Sequence, residues 1–332
     1  MAAILGIDIA KKKFDVALLR KGKFKTKVFD NSPNGCTALK EWLVRQDVDQ
    51  VHACMEATGI LYEGLATFLA DEGHRVSVVN PLKIKAFGES LLTRTKTDKI
   101  DARLIARFCE SMNPSLWKPH PPEIRQLKAL GRRRDALIEM RTQESNRDGS
   151  SSPRVQESIR TVVRMLDREI EDITRQIKEH IDNHPDLKNK RDLLRSIPGI
   201  GDASIEAILS ETNGFANFDK VEQVVAYMGL SPREKSSGSS VRGKSSLCKT
   251  GNRRLRKMLY MPALVAMRYN PLVQQLAQRL KEKSKHGKLI ACACMKKLVQ
   301  IMFGVIKNNQ PFNPNYMLTS VRNNQRSQAV TN

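Results

Sequence analysis

Four acidic residues in the first third of the chain have the types and spacing to bind a metal ion. Asp8 interrupts an apolar segment, where a lone carboxylate is costly unless something compensates its charge. Glu56 ends a second apolar segment, and Asp98 and Asp101 lie one turn apart at the start of a predicted helix, so their side chains share a face. Such oxygen ligands suit Mg²⁺ or Mn²⁺, and two of these ions about 4 Å apart can assist phosphodiester transfer.

Each acid also has an ordinary structural interpretation. Asp98 could cap the helix, Asp101 could be a first-turn acid favoured by the helix dipole, and Asp8 could belong to an edge strand. Taken together, however, a strand Asp, a strand-end Glu and a helical Asp-x-x-Asp match the layout of RNase H/RuvC-like nucleases. The combination therefore predicts a metal-dependent nuclease domain.

The charge of the chain indicates a polyanionic partner. The formal net charge is +22, which favours nucleic acid, either as a substrate or as a phosphate backbone that the protein merely coats. The most basic segment, 231–257, contains one acid, Glu234, and these predicted phosphate-binding residues, with Lys257 beside them: Arg233, Lys235, Arg242, Lys244, Lys249, Arg253, Arg254 and Arg256.

Two further segments favour phosphate chemistry. The Ser/Gly-rich stretch 235–251 could cradle phosphate and supply a nucleophilic serine, although such composition is more typical of a linker. The sequence Ile-Pro-Gly-Ile-Gly at 197–201 resembles a helix-hairpin-helix turn, in which Gly199 and Gly201 would expose backbone N–H groups to a DNA phosphate. The alternative is a turn that serves packing alone.

The elements that position these residues follow from hydrophobic periodicity. Three strands at 3–10, 13–20 and 23–29 are joined by short turns and predict an antiparallel meander. A helix carrying Leu39, Trp42 and Leu43 comes next, and it is followed by strands at 51–55 and 75–79 and helices at 59–72 and 98–112. This order predicts a mixed, mostly buried α/β sheet in the N-terminal domain.

The rest of the chain is predicted to be helical. A seam of apolar residues spaced as in a coiled coil runs from Ile159 to Ile177, and it could pack within an internal helical hairpin or form a dimerisation stalk. We therefore expect a catalytic domain at 1–120, a helical coiled-coil connector at 121–188, a C-terminal helical domain at 189–315 and a disordered tail at 316–332.

The remaining features predict a cytoplasmic protein. The N-terminus runs directly into a strand without a leader, and no apolar run approaches the roughly 20 residues of a membrane span, the longest being interrupted by Pro262. The six cysteines are scattered without zinc-type pairs and are expected to be reduced. In a bacterial cell, a cytoplasmic protein with this large positive charge would associate with the nucleoid.

The chain resembles the DEDD transposases of the insertion-sequence one-ten family, which includes Piv-type DNA invertases. The resemblance extends from about residue 3 to 313 and rests on motifs in the family's order. They are Gly-Ile-Asp-Ile-Ala-Lys at 6–11, Cys-Met-Glu-Ala-Thr-Gly at 54–59, Lys-Thr-Asp-Lys-Ile-Asp-Ala-Arg at 96–103, Ser-Ile-Pro-Gly-Ile-Gly at 196–201, Gly-Leu-Ser-Pro-Arg at 229–233, Ser-Gly-Ser-Ser-Val-Arg-Gly at 237–243 and Gly-Asn-Arg-Arg-Leu-Arg at 251–256.

This resemblance implies a RuvC-like domain that binds Mg²⁺ (or Mn²⁺) through the four acids, and a nucleophilic serine that forms a covalent phosphoserine intermediate. The serine falls on Ser237 because that residue precedes Gly238, while Ser236, Ser239 and Ser240 lie close by. The implied partners are donor and target DNA, a structured bridge RNA as guide, and further copies of the chain in dimers and tetramers.

Two other functions remain open on the residues alone. A metal-only nuclease that resolves branched DNA would use the same acids to activate water and form no covalent intermediate. A non-enzymatic nucleic-acid binder would bind without metal and cut nothing. The recombinase is the function that the motifs favour.

Overall fold

The computed structural model describes residues 3–57, 59, 61–91, 98–148, 152–233, 236–237, 241–242, 246–248 and 250–315. For residues 98–100, 233, 236–237, 241–242 and 246 it describes the backbone alone. The tail expected at 316–332 lies outside these residues. The chain divides into two compact units, Met1–Pro119 and His120–Asn332.

The first unit is built on a five-stranded mixed sheet in the order β3-β2-β1-β4-β5. Its strands are β1 (Ala3–Ile9), β2 (Lys13–Arg20), β3 (Lys23–Asp30), β4 (Val51–Glu56) and β5 (Arg75–Val79). The first three pair antiparallel, whereas β4 runs parallel to β1 and to β5. The meander and the mixed sheet predicted from the sequence are confirmed.

Helices cover both faces of this sheet. Helices α1 (Pro33–Arg45) and α2 (Glu63–Asp71) pack on the face that carries Leu5, Ile7 and Phe14. Helices α3 (Pro81–Ser90) and α4 (Asp98–Met112) cover the face that carries Cys54. The doubly covered sheet explains why β1 and β4 are apolar almost throughout.

Two helix predictions need correction. The helix predicted at 59–72 begins only at Glu63, and Gly59 has a φ of +57°, a left-handed conformation that does not belong to a helix. Helix α3 was not among the elements predicted from the sequence. Proline is favoured at the first helical position, and the Asn80 side chain accepts a hydrogen bond from the backbone N–H of Leu82 at 2.9 Å.

The second unit begins with two long helices, α5 (Pro122–Asp148) and α6 (Pro153–Asp182), which pack along each other. Helix α6 begins at Pro153 with Ser152 as its N-cap, and residues 149–151 lie outside the described residues. The seam residues Ile159, Leu166 and Ile177 are buried within the chain. The seam is therefore covered by an internal helical hairpin, and dimerisation through it stays a prediction.

The rest of the unit is a helical core with short strands inserted before its largest helices. Its helices are α7 (Pro185–Arg195), α8 (Asp202–Thr212), α9 (Val221–Tyr227), α10 (Arg253–Tyr269), α11 (Pro271–Glu282) and α12 (Gly287–Asn308). Contrary to expectation, α10 runs through Pro262, and α12 is long and apolar enough to cross a membrane. Leu298 and Met302 of α12 are fully buried in the core of the unit, which accounts for its apolar composition.

Candidate active site

Asp8 and Glu56 lie at matching positions on adjacent parallel strands. Ile7 of β1 pairs with Met55 of β4, and each acid is the next residue along its strand. Neighbouring strands lie about 4.8 Å apart, and residues in register on parallel strands point to the same face. Two half-buried carboxylates therefore lie side by side at the carboxyl end of the sheet.

Helix α4 brings Asp98 and Asp101 to the same end of the sheet. A side chain at Gly6 would overlap the carbonyl oxygen of Ala102 and the backbone nitrogen of Ala106, so α4 rests directly on β1 at this glycine. Further along α4, the Cys109 Sγ lies 4.0 Å from the carbonyl oxygen of His52, near the start of β4. The helix therefore runs opposite to β1, and its first turn lies toward the strand ends that carry Asp8 and Glu56.

Asp15 is an acid that the sequence reasoning missed. It pairs directly with Asp8 across the antiparallel β1–β2 ladder, so both carboxylates lie on the face that α4 covers. Asp15 is 5% exposed, and its carboxylate contacts Lys13 Nζ at 3.2 Å. The signal was present in the sequence, because a two-strand meander with a fixed register places residues 8 and 15 opposite each other.

The donor chemistry at this end of the sheet fits a hard divalent cation. Asp15, Asp8 and Glu56 form one row across three neighbouring strands, and Asp101 follows from the helix above. Among the side chains that the structure describes, no three His, Cys, Asp or Glu residues converge on one point. The side chain of Asp98, the fourth member of the predicted set, is outside that description.

Ser237 lies on a short strand in the second unit. The backbone N–H of Cys248 donates to the carbonyl of Ser231 at 2.9 Å, and the strands β6 (Pro232–Arg233) and β9 (Ser246–Leu247) pair next to it. A second pair is formed by β7 (Ser236–Ser237) and β8 (Val241–Arg242), in which Ser237 is opposite Val241. Parts of the Ser/Gly stretch that composition alone would assign to a linker thus form antiparallel strand pairs, and Ser237 lies in one of them.

The predicted phosphate-binding residues have different environments. Arg253 is exposed at the start of α10, while Arg256 is half-buried and donates to the carbonyl of Met228 at 2.9 Å. Burial, together with the charge of Arg253, lowers the pKa of Arg256. The backbones of Arg233 and Arg242 lie in strands β6 and β8, and Lys235, Lys244 and Lys249 lie outside the described residues. Arg253 is the member of this set whose described side chain is open to a phosphate.

Arg254 belongs to a buried ion network. Its guanidinium contacts Asp135 at 2.6 Å and Glu206 at 3.0 Å, and Arg134 contacts Glu206 at 2.7 Å. Glu206 is 1% exposed, and burial raises its pKa even though the two arginines act in the opposite direction. The network fastens α5 to α8 and α10, so we leave Arg254 out of the proposed DNA surface.

The turn between α7 and α8 also has an internal packing role. Gly199 has a φ of +100°, and a Cβ there would lie 2.9 Å from the Cα of Ala266 in α10. Gly201 has open space beside it and caps α8, whose first residue, Asp202, accepts from Arg195 at 2.8 Å. The helix-hairpin-helix contact with DNA stays a prediction, and the conformation of Gly199 is explained by packing.

The comparisons with known proteins identify a class of DNA recombinase. A profile of DEDD transposases of the IS110 type matches residues 5–148, and a profile described as transposase IS116/IS110/IS902 family matches residues 191–278. The chain is 35% identical to the pilin gene-inverting protein of Moraxella bovis over 93% of its own length and 97% of that protein. It is 26% identical to the transposase for insertion sequence element IS1328 of Yersinia enterocolitica, over 93% and 98% of the two chains.

The two family profiles and these relatives identify an enzyme that recombines DNA, and the chain belongs to the IS110 transposase family. This finding confirms the resemblance to the insertion-sequence one-ten family. A DEDD transposase domain implies dependence on a divalent metal, and the family implies DNA as the substrate.

Proposed function

We propose that this protein exchanges DNA strands of an insertion sequence through a covalent phosphoserine intermediate. The observation that carries the proposal is the register of Asp8 beside Glu56 under the first turn of α4, which gathers the acids at one end of the sheet. Asp8, Glu56, Asp98 and Asp101 would hold Mg²⁺ or Mn²⁺. The bound cation would stabilise the negative charge that develops on the reacting phosphate.

The proposed chemistry at the second unit begins at Ser237. Its hydroxyl oxygen forms a bond to the phosphorus of a DNA phosphodiester, and the bond from phosphorus to the leaving deoxyribose oxygen breaks. The serine gives up its proton and the leaving oxygen gains one. Attack on the phosphoserine by the hydroxyl of another strand then rejoins the DNA and releases the serine. Exposed Arg253 supplies positive charge for the DNA backbone.

The resemblance to the family extends the proposal to partners. A bridge RNA would pair with donor and target DNA and so provide the sequence specificity. Dimers would assemble into tetramers in which the acids of one subunit act with the serine of another. The chain would carry out transposition or, as the name of the Moraxella relative says of that protein, inversion of a DNA segment.

A covalent-adduct assay tests the proposal. Purified protein is mixed with labelled element-end and target DNA, Mg²⁺ and RNA transcribed from the flank of the element, and adducts are separated on a denaturing gel. We expect an RNA-dependent adduct with the wild type and with Ser236→Ala, the adjacent residue in β7, and no adduct with Ser237→Ala. An adduct that persists in Ser237→Ala refutes the serine assignment, and cleavage without an adduct in any protein indicates the water-using nuclease.

A further inference from the structure

The β2–β3 hairpin of the first unit borders a small basic cavity, which we call the hairpin cavity. Its volume is about 280 Å³, and it is lined by Leu18, Arg20, Lys21, Lys23, Lys25 and Gln46. Among these six described residues four are cationic, and none is acidic or aromatic. A cavity of this size, below the range of pockets for drug-sized ligands, suits one small anionic group.

Two of the cations are held in place by the end of α1. Arg20 Nη1 donates to the carbonyl oxygens of Gln46 at 2.6 Å and Asp47 at 3.2 Å, and Lys25 Nζ donates to Gln46 Oε1 at 2.6 Å. Both Arg20 bonds use the same nitrogen, and a guanidinium has five N–H donors, so its other nitrogens can serve an anion. Fixing these side chains in advance lowers the entropy cost of binding.

Lys21 occupies an unusual position for its residue type. The turn between Arg20 and Lys23 consists of Lys21 with a φ of +47° and Gly22 with a φ of +74°. A two-residue hairpin turn with both φ values positive favours Asn-Gly or Gly-Gly. Lysine is not among the residues favoured at this left-handed position, and its presence there places a cation at the cavity.

The hairpin cavity is separate from the row of acids. Asp15 and Arg20 are five residues apart on β2, or roughly 17 Å at about 3.4 Å a residue. Lys23 and Lys25 share a strand face with Phe29, which packs against Trp42 of α1, whereas the acids lie on the face that α4 covers. A ligand of this cavity therefore does not touch the acids.

We infer that the hairpin cavity binds a backbone phosphate of duplex DNA that extends away from the cutting site. Four cations with no carboxylate among the lining residues suit a phosphate, and the absence of an aromatic side chain from the same six residues disfavours single strands, which bind by base stacking. The inference rests on the DNA-binding part of the proposed function. It adds a DNA contact on the first unit to the basic segment of the second.

Lysines on an edge strand also have a purely structural use, because they discourage pairing between sheet edges. β3 is such a strand, and Lys23 and Lys25 would serve that purpose without any ligand. Protection of the sheet edge does not account for Lys21 in the turn or for the hydrogen bonds that hold Arg20 at the end of α1. If protection of the sheet edge were the only role of these lysines, replacing them would change aggregation and leave DNA affinity unchanged.

Salt-dependent DNA binding tests the inference. Fluorescence anisotropy gives the Kd of full-length wild type and of Lys21→Asn/Lys23→Gln for labelled duplex DNA at several salt concentrations. Asn suits the turn, so the melting temperature of the variant is expected to equal or exceed that of the wild type. The control, Lys40→Gln/Lys85→Gln, removes the same charge from exposed lysines that already pair with Glu72 and Glu89.

We expect the hairpin variant to bind duplex DNA roughly 10-fold more weakly, with a slope of log Kd against log salt lower by about 1 to 2, since each phosphate contact contributes about 0.9. An effect no larger than that of the control overturns the inference. An equal loss with single-stranded DNA of the same length overturns the duplex assignment. If inorganic phosphate at constant ionic strength abolishes the difference, the cavity binds free phosphate instead. Failure of the wild type to bind DNA at all counts against the proposed function itself.

Discussion

Asp15 faces Asp8 directly across the β1–β2 ladder, buried and in contact with Lys13. A carboxylate on a neighbouring strand adds negative potential at a proposed cation site without having to be a ligand. Lys13 offsets part of that charge and holds Asp15 in place. If the four acids hold a cation as proposed, Asp15 and Lys13 would adjust the affinity of the first unit for it.

Replacing Asp15 with Asn is expected to weaken the binding of Mn²⁺ by roughly 3- to 10-fold, because one negative charge directly opposite Asp8 is removed. The rise of the melting temperature with Mn²⁺ concentration measures this affinity without any activity assay. The control is Asp30→Asn, an exposed carboxylate on β3. Equal affinities of the two variants would show that Asp15 has only a structural role.

Asp8→Asn and Glu56→Gln are each expected to lower strand exchange by at least about 100-fold, the scale seen when one electrostatic contributor to a transition state is lost. Both substitutions keep the size and shape of the side chain, so DNA affinity and melting temperature should stay close to the wild-type values. Asp49→Asn, an exposed acid near the start of β4, serves as the control. Unchanged strand exchange in either variant removes that residue from the site.

Gly6→Ala is expected to destabilise the first unit by about 1–3 kcal/mol, because the new methyl group overlaps the backbone of α4 and the packing must shift. Urea denaturation measures the free energy of unfolding. Gly64→Ala in α2 is the matched control, since open space surrounds that position and alanine is the better helix former. Similar free energies for the two variants would mean that α4 does not rest on β1 as described.

Glu206→Gln removes the charge that Arg134 and Arg254 share, and we expect a loss of about 3–5 kcal/mol in the free energy of unfolding. Arg254 keeps Asp135 at 2.6 Å, whereas buried Arg134 loses its nearest carboxylate, and solvent cannot replace that partner. Glu222→Gln, an exposed acid in α9, removes the same charge at little cost. A loss below about 1 kcal/mol for Glu206→Gln would show that the network contributes little to stability.

His74 provides a pH dependence of stability. Burial lowers its pKa below the ordinary value of 6.5, and Lys40 acts in the same direction while Glu72 opposes it. The unfolded chain then binds the proton more readily, so the contribution of His74 to stability is complete above pH 6.5 and is lost as the pH falls through the folded pKa. Melting temperatures between pH 7 and 5 should fall less steeply for His74→Asn than for the wild type. Equal slopes for the two proteins would contradict a role for His74.

Much of the first unit could be predicted from sequence because its signals are local. The alternation of apolar residues and the two short turns fixed β1, β2 and β3, and the helix from Asp98 to Met112 has the predicted bounds. Helix α3 was missed because proline both ends strands and begins helices. The position of Asp15 beside Asp8 required only the register, which the short turn determines.

The second unit was harder to predict because its decisive contacts join distant residues. Arg254 looks like its basic neighbours in sequence, and its partners Asp135 and Glu206 lie 119 and 48 residues away. Position 199 likewise must lack a side chain because Ala266 of α10 packs against it. No local pattern distinguishes an arginine that binds phosphate from one that holds a core together.

The close approach of α4 to Gly6 has a consequence for mobile elements that accumulate damaged copies. The glycine two residues before Asp8 and the helical Asp-x-x-Asp behave as one unit, because the helix can deliver its acids only where the strand has no side chain. A copy that keeps all four acids but carries a bulkier residue at position 6 would therefore encode a defective enzyme. Checking for glycine at position 6 should therefore identify inactive copies that still carry all four acids.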